Sequence, residues 1–306
     1  MRAGKRAHLE LPVARLPSGN WMNLPLVVLH GRRPGPTLWL SGAIHGEELN
    51  GVGIIHDLLP RLDARELSGT LLAAPIVNGF GVMEGSRYLP DRRDLNRSFP
   101  GSNRGSLASR LAHLFFQQVV IRGDLGIDLH TGAAGRENHP QLRCDLDHPE
   151  THAYAEAFSA PLTLHSDLRD GSLRAAACER DIPVLLFEVG GALRFSPSGI
   201  REGVNGILRV MEKAGMIEGP APPPSGPALF SRRSRWIRAR RSGFCYLRAD
   251  LGERVTQGQV LAVIGDGIGK DETRVRARSP GLVIAVDRSA QVYQGDALVH
   301  VAELEA

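Results

Sequence analysis

The sequence has little cysteine and no long apolar run, and each absence excludes a class of protein. The three cysteines, Cys144, Cys178 and Cys245, lie far apart and form no Cys-x-x-Cys pair, so neither a disulfide framework nor a thiolate zinc site is predicted. No apolar run approaches the roughly 18 residues of a membrane helix. No hydrophobic segment follows the basic N-terminus, as it would in a signal peptide. We therefore expect a cytoplasmic protein that does not bind membranes.

Lysine is also scarce, and the positive charge is carried almost entirely by arginine. Of the 37 Lys and Arg residues, only Lys5, Lys213 and Lys270 are lysines. Six arginines fall within ten residues around Trp236: Arg232, Arg233, Arg235, Arg238, Arg240 and Arg241. Such a run can bind phosphates, but a solvated strand edge or an inter-domain surface explains it as well. We expect no nucleic-acid partner.

The length and composition predict two soluble domains. The 306 residues, 42% of them hydrophobic, are about twice a typical domain of roughly 150 residues. Five prolines in residues 220–228 exclude a helix or a central strand there. We therefore assign residues 1–219 to a first domain, 220–228 to a linker and 229–306 to a second domain. The sequence leaves the oligomeric state open, a homo-oligomer included.

The first domain alternates short apolar runs with helical patterns. The runs typical of strands are Thr37–Gly42, Gly69–Val77, Leu125–Leu129 and Val184–Val189. The helical patterns cover Gly51–Leu62, Leu107–Ile121, Glu150–Ala157 and Gly199–Ala214. This alternation predicts an α/β fold with a largely parallel sheet.

The second domain shows short strand and turn patterns without a helical period. Residues 255–261 (VTQGQVL) are echoed by residues 292–298 (VYQGDAL). Two similar halves indicate a small pseudo-symmetric β domain. Its core can be only modest, so we expect it to pack against the first domain.

Histidines and glutamates that could bind a metal ion or act in catalysis lie at the ends of three of the predicted strands. The run ending at Gly42 leads into His45 and Glu48, whose spacing allows both to face one point. His130 follows the second strand, and Glu188 closes the third. Because the carboxyl ends of parallel strands meet in one crevice, we predict that His45, Glu48 and His130 bind zinc, with water as fourth ligand.

Each of these residues also has an ordinary structural interpretation. A single histidine at a strand end is commonly a hydrogen-bonded or surface residue, and a carboxylate there is commonly a cap or an ion pair. His300 and Glu303 share the spacing of His45 and Glu48 inside the predicted last strand, where it indicates nothing. The combination is more informative, because Glu188 on an apolar run is costly to bury unless a partner such as metal-bound water explains it.

Four motifs, taken in order, resemble the succinylglutamate desuccinylase/aspartoacylase family of zinc amidohydrolases. They are His45-Gly-Glu-Glu48, Asp94-Leu-Asn-Arg97 followed by Phe99-Pro-Gly101, Asp128-Leu-His-Thr-Gly132, and Phe187-Glu-Val-Gly-Gly191. The resemblance implies a zinc-carboxypeptidase-like α/β/α sandwich with a mostly parallel mixed sheet. It also implies a small C-terminal all-β domain that resembles a biotinyl/lipoyl barrel.

The resemblance also implies roles for individual residues. His45, Glu48 and His130 match the ligands of one zinc ion, and Glu188 matches the catalytic carboxylate. Asn96 and Arg97 match the pair that holds the substrate carboxylate. Arg87 matches the arginine that polarises the scissile carbonyl, although Arg92 or Arg93 would take this role if the alignment slipped. The remaining matches, at the rim of the substrate site, are Arg136, Asn138 and Arg143.

The predicted reaction is hydrolysis of the amide bond of a small anionic N-acyl amino acid. A zinc carboxypeptidase or peptide amidase would use the same chemistry, and the motifs do not separate the two. A carrier protein built on the β domain is a third alternative. Carrier barrels present a lysine in the turn between their halves, whereas this chain has residues 276–281 (RARSPG) there and its nearest lysine is Lys270. Covalent biotin or lipoate is therefore not expected.

Overall fold

A mixed 13-stranded sheet runs through the residues that the computed structural model describes, 1–269 and 271–304. A second sheet in the same part of the chain has four strands. The strands are β1 (Lys5–Arg15), β2 (Trp21–His30), β3 (Arg33–Gly42), β4 (Ser68–Ala74), β5 (Leu125–Gly132), β6 (Arg136–Cys144), β7 (Leu162–His165), β8 (Val184–Gly191), β9 (Leu229–Ser231), β10 (Arg233–Arg238), β11 (Gly243–Leu247), β12 (Arg254–Val255), β13 (Val260–Gly265), β14 (Glu272–Arg276), β15 (Gly281–Asp287), β16 (Gln291–Val292) and β17 (Ala297–Glu303).

The helices lie between the strands of the first 213 residues. They are α1 (Asn50–Leu58), α2 (Gly79–Glu84), α3 (Leu107–Gln118), α4 (Pro149–Phe158), α5 (Leu173–Cys178) and α6 (Pro197–Lys213), with 3₁₀ turns at Leu59–Arg61, Leu95–Arg97 and Val120–Arg122. The four predicted strands and four predicted helices are confirmed. The boundaries differ by a few residues: β4 ends at Ala74 instead of Val77, and α1 gives way to a 3₁₀ turn at Leu59.

The helices cover both faces of the sheet, because alternate strand residues point to opposite sides. On β3, Leu38 and Leu40 pack into the core formed with α1, α4 and α6, whereas Trp39 packs against α3 and α5. The centre of the sheet, in the order β4-β3-β5-β8, is parallel, and the pairs β1·β2, β2·β4 and β6·β8 are antiparallel. The α/β fold with a large, centrally parallel sheet is therefore confirmed.

The C-terminal segment is built of strands and shares its sheet with the rest of the chain. Residues 237–301 supply a separate hydrophobic core, but β15 pairs with β6 and β9 pairs with β7. Each repeated motif contains the end of a two-residue strand, a turn and the start of the next strand: β12 and β13 in the first motif, β16 and β17 in the second. The barrel resemblance and the division at residues 219 and 229 stay predictions, and Lys270 lies outside the described residues.

The proline-rich linker is fixed by a buried arginine of α6. The Nε and Nη2 atoms of Arg209 donate to the carbonyl oxygen of Phe158 at 2.9 and 2.7 Å, and Nη1 donates to the carbonyl oxygen of Pro222 at 3.1 Å. Burial lowers the pKa of Arg209, and Glu202 opposes that shift. One side chain thus joins the end of α4 to the linker.

Within the described residues, no helix combines the length and the apolar character that crossing a bilayer requires.

Candidate active site

The site lies where the parallel strands β3, β5 and β8 end side by side. Gly42 pairs with Leu129, and His130 pairs with Glu188. The strands are largely apolar and buried, and the polar residues at and after their carboxyl ends lie together at one edge, as expected for an open α/β sheet. The convergence predicted from the sequence is present.

The turn after β3 brings His45 and Glu48 to this edge. Ala43 adopts a left-handed conformation with φ of 48°, and the Glu48 amide donates to the His45 carbonyl at 3.1 Å. A Cβ atom on Gly46 would lie 1.9 Å from the backbone carbon of Gly81, so only glycine fits beside α2. Helix α1 begins two residues after Glu48, so both side chains come from the turn.

Two histidines share the Glu48 carboxylate. Nδ1 of His45 is 2.7 Å from Oε1 of Glu48, and Nδ1 of His130 is 2.7 Å from Oε2. All three side chains are buried, and their ligand atoms lie within 4.8 Å of one another. Two imidazole nitrogens and a carboxylate oxygen at this spacing are a donor set that can hold a metal ion.

An aspartate carboxylate contacts the Nε2 atom of each histidine, on the side of the ring away from Glu48. Oδ1 of Asp94 is 3.0 Å from Nε2 of His45, and Oδ2 of Asp128 is 2.8 Å from Nε2 of His130. The hydroxyl of Ser41 donates to Asp128 at 2.7 Å. Each ring thus has its Nδ1 atom facing Glu48 and its Nε2 atom facing an aspartate. If a metal ion took the place of a proton at Nδ1, the Nε2 proton could be donated to that aspartate, as is usual for metal-ligating histidines.

The three side chains of this group alter one another's pKa values. Burial opposes ionisation of all three side chains, but the carboxylates outweigh it at both histidines: Glu48 and Asp94 raise the pKa of His45, and Asp128 and Glu48 raise that of His130 well above its ordinary value. The two histidines in turn lower the pKa of Glu48 despite its burial. The group therefore favours a positive charge between the Nδ1 atoms and the carboxylate.

Glu188 faces the same cavity from β8. Its Oε2 atom accepts a hydrogen bond from Nδ2 of Asn138 at 2.6 Å, and its Oε1 atom is 3.9 Å from Nε of Arg143. Both partners come from β6, the neighbouring strand. An irregularity between Asn138 and Gln141 shifts the side-chain alternation, so Arg136, Asn138 and Arg143 all reach the cavity despite their odd spacing.

Arg87, Arg92 and Arg93 are the three candidates for the arginine that polarises the scissile carbonyl. Of these, only Arg87 reaches the site. Its Nε and Nη2 atoms donate to Asp94 at 3.1 and 2.9 Å, and its Nη1 atom lies 3.4 Å from Oε1 of Glu48. Arg92 and Arg93 are exposed and do not line the cavity. Asp94 thus links Arg87 to His45.

Apart from the alternatives Arg92 and Arg93, all ten residues to which the resemblance assigns a role line one cavity of about 500 Å³. Asn96 is held by its Oδ1 atom, which accepts from the Leu173 amide at 2.8 Å, and Arg97 donates to the carbonyl oxygen of Asn96 at 2.5 Å. Sequence reasoning missed a further set of lining side chains: Ser166, Arg169, Ser172, Arg174 and Trp236. They belong to segments without a recognisable motif, and the arginine-rich run around Trp236 indicated only a charged surface.

Trp236 brings the C-terminal segment into the cavity wall. Four residues on adjacent strands are directly paired across the sheet. They are Asn138 on β6, Ala285 on β15, His300 on β17 and Trp236 on β10. Trp236 stacks on His300 with ring centroids 4.6 Å apart, and the guanidinium carbon of Arg136 lies 5.0 Å from the Trp236 ring centre.

Comparison with known proteins agrees with this architecture. Residues 34–214 match the family model of the succinylglutamate desuccinylase/aspartoacylase catalytic domain. The N-alpha-acetyl-L-2,4-diaminobutyric acid deacetylase of Halomonas elongata is 30% identical over 97% of this chain and 90% of its own length. The structure of a succinylglutamate desuccinylase/aspartoacylase from Rhodobacter sphaeroides is 29% identical, with a TM-score of 0.88 over 98% of this chain and 96% of its own.

A product-bound structure of the ectoine utilization protein EutE from Ruegeria pomeroyi has the same TM-score, 0.88, at 26% identity over 99% of this chain and 97% of its own. The fold and the site define an α/β protein with a His–Glu–His group at the carboxyl edge of its sheet. The chain belongs to the succinylglutamate desuccinylase/aspartoacylase family, as the four motifs predicted.

Proposed function

We propose that the protein is a zinc-dependent deacylase that hydrolyses the amide bond of a small anionic N-acyl amino acid. The observation that carries the proposal is the His45, Glu48 and His130 group with Glu188 facing the same cavity. Membership in a family of deacylases supports amide-bond hydrolysis. We infer one zinc ion per chain.

The donor set fits zinc for a chemical reason. Each histidine faces an aspartate through Nε2 and the Glu48 carboxylate through Nδ1, and an ionised carboxylate has no proton to donate. The arrangement therefore needs a cation, either protons on both rings or a metal ion. A zinc ion held by His45, Glu48 and His130 would supply a water molecule of lowered pKa and a positive charge for the scissile carbonyl.

Glu188 is the proposed general base. The hydrogen bond from Asn138 orients one carboxylate oxygen, and Nε of Arg143 lies 3.9 Å from the other. The other oxygen is then available to take a proton from the attacking water and to return it to the nitrogen of the departing amine. Direct contact with the reacting atoms makes Glu188 a catalytic residue in this proposal.

The arginines bind and orient the substrate. Arg87, held by Asp94, places its guanidinium next to Glu48, where it would stabilise negative charge that develops on the carbonyl oxygen. Asn96 and Arg97 would hold the carboxylate of the substrate and so keep the amide within reach of the water. Arg136, Asn138 and Arg143 complete the binding surface.

Metal analysis combined with activity tests the proposal. The wild-type protein should contain about one zinc per chain by plasma mass spectrometry, and His45→Ala and His130→Ala should lose it. His56→Ala, an exposed histidine on α1, is the matched control and should keep the metal. Glu188→Gln should retain zinc but lose several orders of magnitude in kcat. Near-normal turnover of this variant would remove the general base from the proposal.

The choice of substrates separates a deacylase from a peptidase. N-acetyl and N-succinyl amino acids should be hydrolysed faster than dipeptides of similar size. A clear preference for dipeptides would favour the carboxypeptidase or peptide amidase alternative, since both use the same metal and base.

A further inference from the structure

Asn50, the first residue of α1, is fully buried beside the candidate active site. It follows Glu48 by two residues, and its side chain extends to the ends of β5 and β8. It does not line the cavity and has no part in the mechanism described above. A buried amide is unfavourable unless its hydrogen bonds are made, so the partners of Asn50 show what this side chain does.

The Asn50 amide joins the residues that follow His130 and Glu188. Its Nδ2 atom donates to Oγ1 of Thr131 at 3.3 Å and to the carbonyl oxygen of Val189 at 3.1 Å. Thr131 is the neighbour of one proposed zinc ligand, and Val189 is the neighbour of the proposed base. One side chain therefore connects the strand end that supplies the ligand to the strand end that supplies the base.

The same amide holds the loop that follows β8. Oδ1 of Asn50 accepts a hydrogen bond from the Ser196 amide at 2.7 Å, and Nδ2 donates to the carbonyl oxygen of Arg194 at 3.4 Å. The Leu193 amide donates to the carbonyl oxygen of Glu47 at 2.8 Å. The loop is therefore tied both to the start of α1 and to the turn before it, which carries two of the proposed zinc ligands.

The sheet is irregular at the point where Asn50 meets it. The pairing of β8 with β5 shifts between His130 and Gly132, and its pairing with β6 shifts between Asn138 and Gln141. Glu188 belongs to the last regular pair before each shift. Because a strand bends where its pairing shifts, contacts from outside the sheet are needed to fix the end of β8.

Gly190 shows how closely β8 approaches the Asn50 amide. Its φ is 70°, and a Cβ atom there would lie 2.8 Å from Nδ2 of Asn50. A larger residue would be strained at this φ and would push the amide away. The irregular end of β8 is thus packed directly on the Asn50 side chain.

We propose that Asn50 is a positioning residue, which fixes Glu188 relative to the group formed by His45, Glu48 and His130. The inference rests on the proposed deacylase function and adds a residue to it. Misplacement of a catalytic group by about 1 Å can cost about 100-fold in rate, so the hold on the end of β8 matters for turnover. Asn50 touches no reacting atom and acts through Glu188.

Removal of the amide tests the proposal. Asn50→Ala should lower kcat about tenfold or more while KM changes less than about twofold, because the residues that bind the substrate keep their places. The variant should keep about one zinc ion per chain. Arg209→Met, which loses buried hydrogen bonds away from the cavity, is the control for lost stability and should keep both constants. An unchanged kcat in Asn50→Ala, or an equal fall in the control, would overturn the proposal.

Two glycine variants decide the question if Asn50→Ala fails to fold. Gly190→Ala disturbs the amide from the side of β8 and should also lower kcat. Gly215→Ala is its matched control, because Gly215 has a similar φ of 68° but a Cβ atom there would meet nothing within 4 Å. Equal kcat values in the two variants would show that the contact with Asn50 has no part in turnover.

Combination with Glu188→Gln shows whether Asn50 acts through the base. Residues that act as a unit have non-additive effects, so Asn50→Ala should lower the residual kcat of Glu188→Gln by less than about twofold. A loss as large as in the wild-type background would make the role of Asn50 purely structural and overturn the proposal.

Hydrogen exchange gives a readout that does not depend on turnover. The amides of residues 189–196 should exchange faster in Asn50→Ala than in the wild type or Arg209→Met, because local opening of this segment breaks fewer hydrogen bonds. If no N-acyl compound is hydrolysed but this difference is present, the proposed function fails and the connection between the strand ends stands. If exchange in the segment is unchanged, the inference fails whatever the activity.

Discussion

Asp128 and His130 lie two residues apart on β5, and Oδ2 of the aspartate is 2.8 Å from Nε2 of the histidine. Residues two apart on a strand share a face, so the strand itself aligns the pair. Ser41 on the neighbouring strand β3 binds the other oxygen of Asp128. The sheet therefore fixes the rotation of the imidazole ring before any metal binds.

Replacement of this aspartate should weaken the metal site. Asp128→Asn keeps the shape of the side chain but removes the negative charge that orients His130, and such losses behind a ligand typically reduce metal affinity by about 10- to 100-fold. Competition with a chromogenic zinc chelator measures the change. Asp57→Asn, at an exposed position on α1, is the control. Equal affinities in the two variants would show that Asp128 has no part in holding zinc.

Removal of the Trp236 ring should weaken substrate binding more than turnover. Trp236→Ala removes the aromatic surface on which Arg136 rests, an interaction of about 0.5–2 kcal/mol, so KM should rise several-fold with a smaller change in kcat. Trp21→Ala provides a matched control, because Arg15 lies 5.3 Å from the Trp21 ring centre away from the cavity. A rise in KM of the same size in both variants would contradict a local role for Trp236.

His300 should make stability depend on pH. Burial, and then the charges of Arg143 and Arg136, lower its pKa to about 3, whereas an unfolded chain binds a proton near pH 6.5. Because the folded-state pKa is depressed, the unfolded state gains a proton first as pH falls. The free energy of unfolding should therefore decrease between about pH 6.5 and pH 3, with a slope of up to about 1.4 kcal/mol per pH unit from this residue.

Denaturant unfolding at several pH values checks this expectation. His300→Gln removes the titrating group and should give a flatter dependence than the wild type over the same range. His8→Gln, outside the cavity on strand β1, should preserve the wild-type slope. Parallel curves for wild type and His300→Gln would contradict the depressed pKa.

Loss of the Arg209 side chain should lower the stability of the protein. It should leave the candidate active site unchanged, because Arg209 does not line the cavity. Arg209→Met keeps the apolar stem but leaves the carbonyl oxygens of Phe158 and Pro222 without these donors. Buried acceptors that lose their partners cost about 1–3 kcal/mol each, so the midpoint of urea unfolding should fall clearly. Arg201→Met, at an exposed position of the same helix, should change it little. Comparable midpoints would show that the linker is held by other contacts.

The centre of the site could be predicted from sequence because the apolar strands of a parallel sheet pass directly into polar residues. His45, His130 and Glu188 each follow such a run, and family motifs supplied Arg87 and Arg97. Strand β1 was not predicted, since its side chains are largely exposed and show no apolar alternation. On β6, the irregularity after Asn138 breaks the period-two pattern by which a strand is recognised.

Arg174 and Trp236 could not be found from local sequence. Arg174 reaches the cavity because α5 packs beneath the loop that holds Asn96, and Trp236 because β15 joins β6. Both placements depend on contacts between distant parts of the chain, which no motif records. The arginine-rich run around Trp236 indicates only a charged surface in the sequence, whereas in the structure its aromatic residue lines the cavity.

The pairing of β15 with β6 has a practical consequence for anyone who expresses this protein in pieces. A fragment cut near residue 214, where the family match stops, would leave the start of β6 with unsatisfied amide and carbonyl groups on its outer side. That bare edge carries Arg136 and Asn138, and exposed edges recruit strands from other molecules. Such a fragment should aggregate, so the protein should be expressed together with its C-terminal strands.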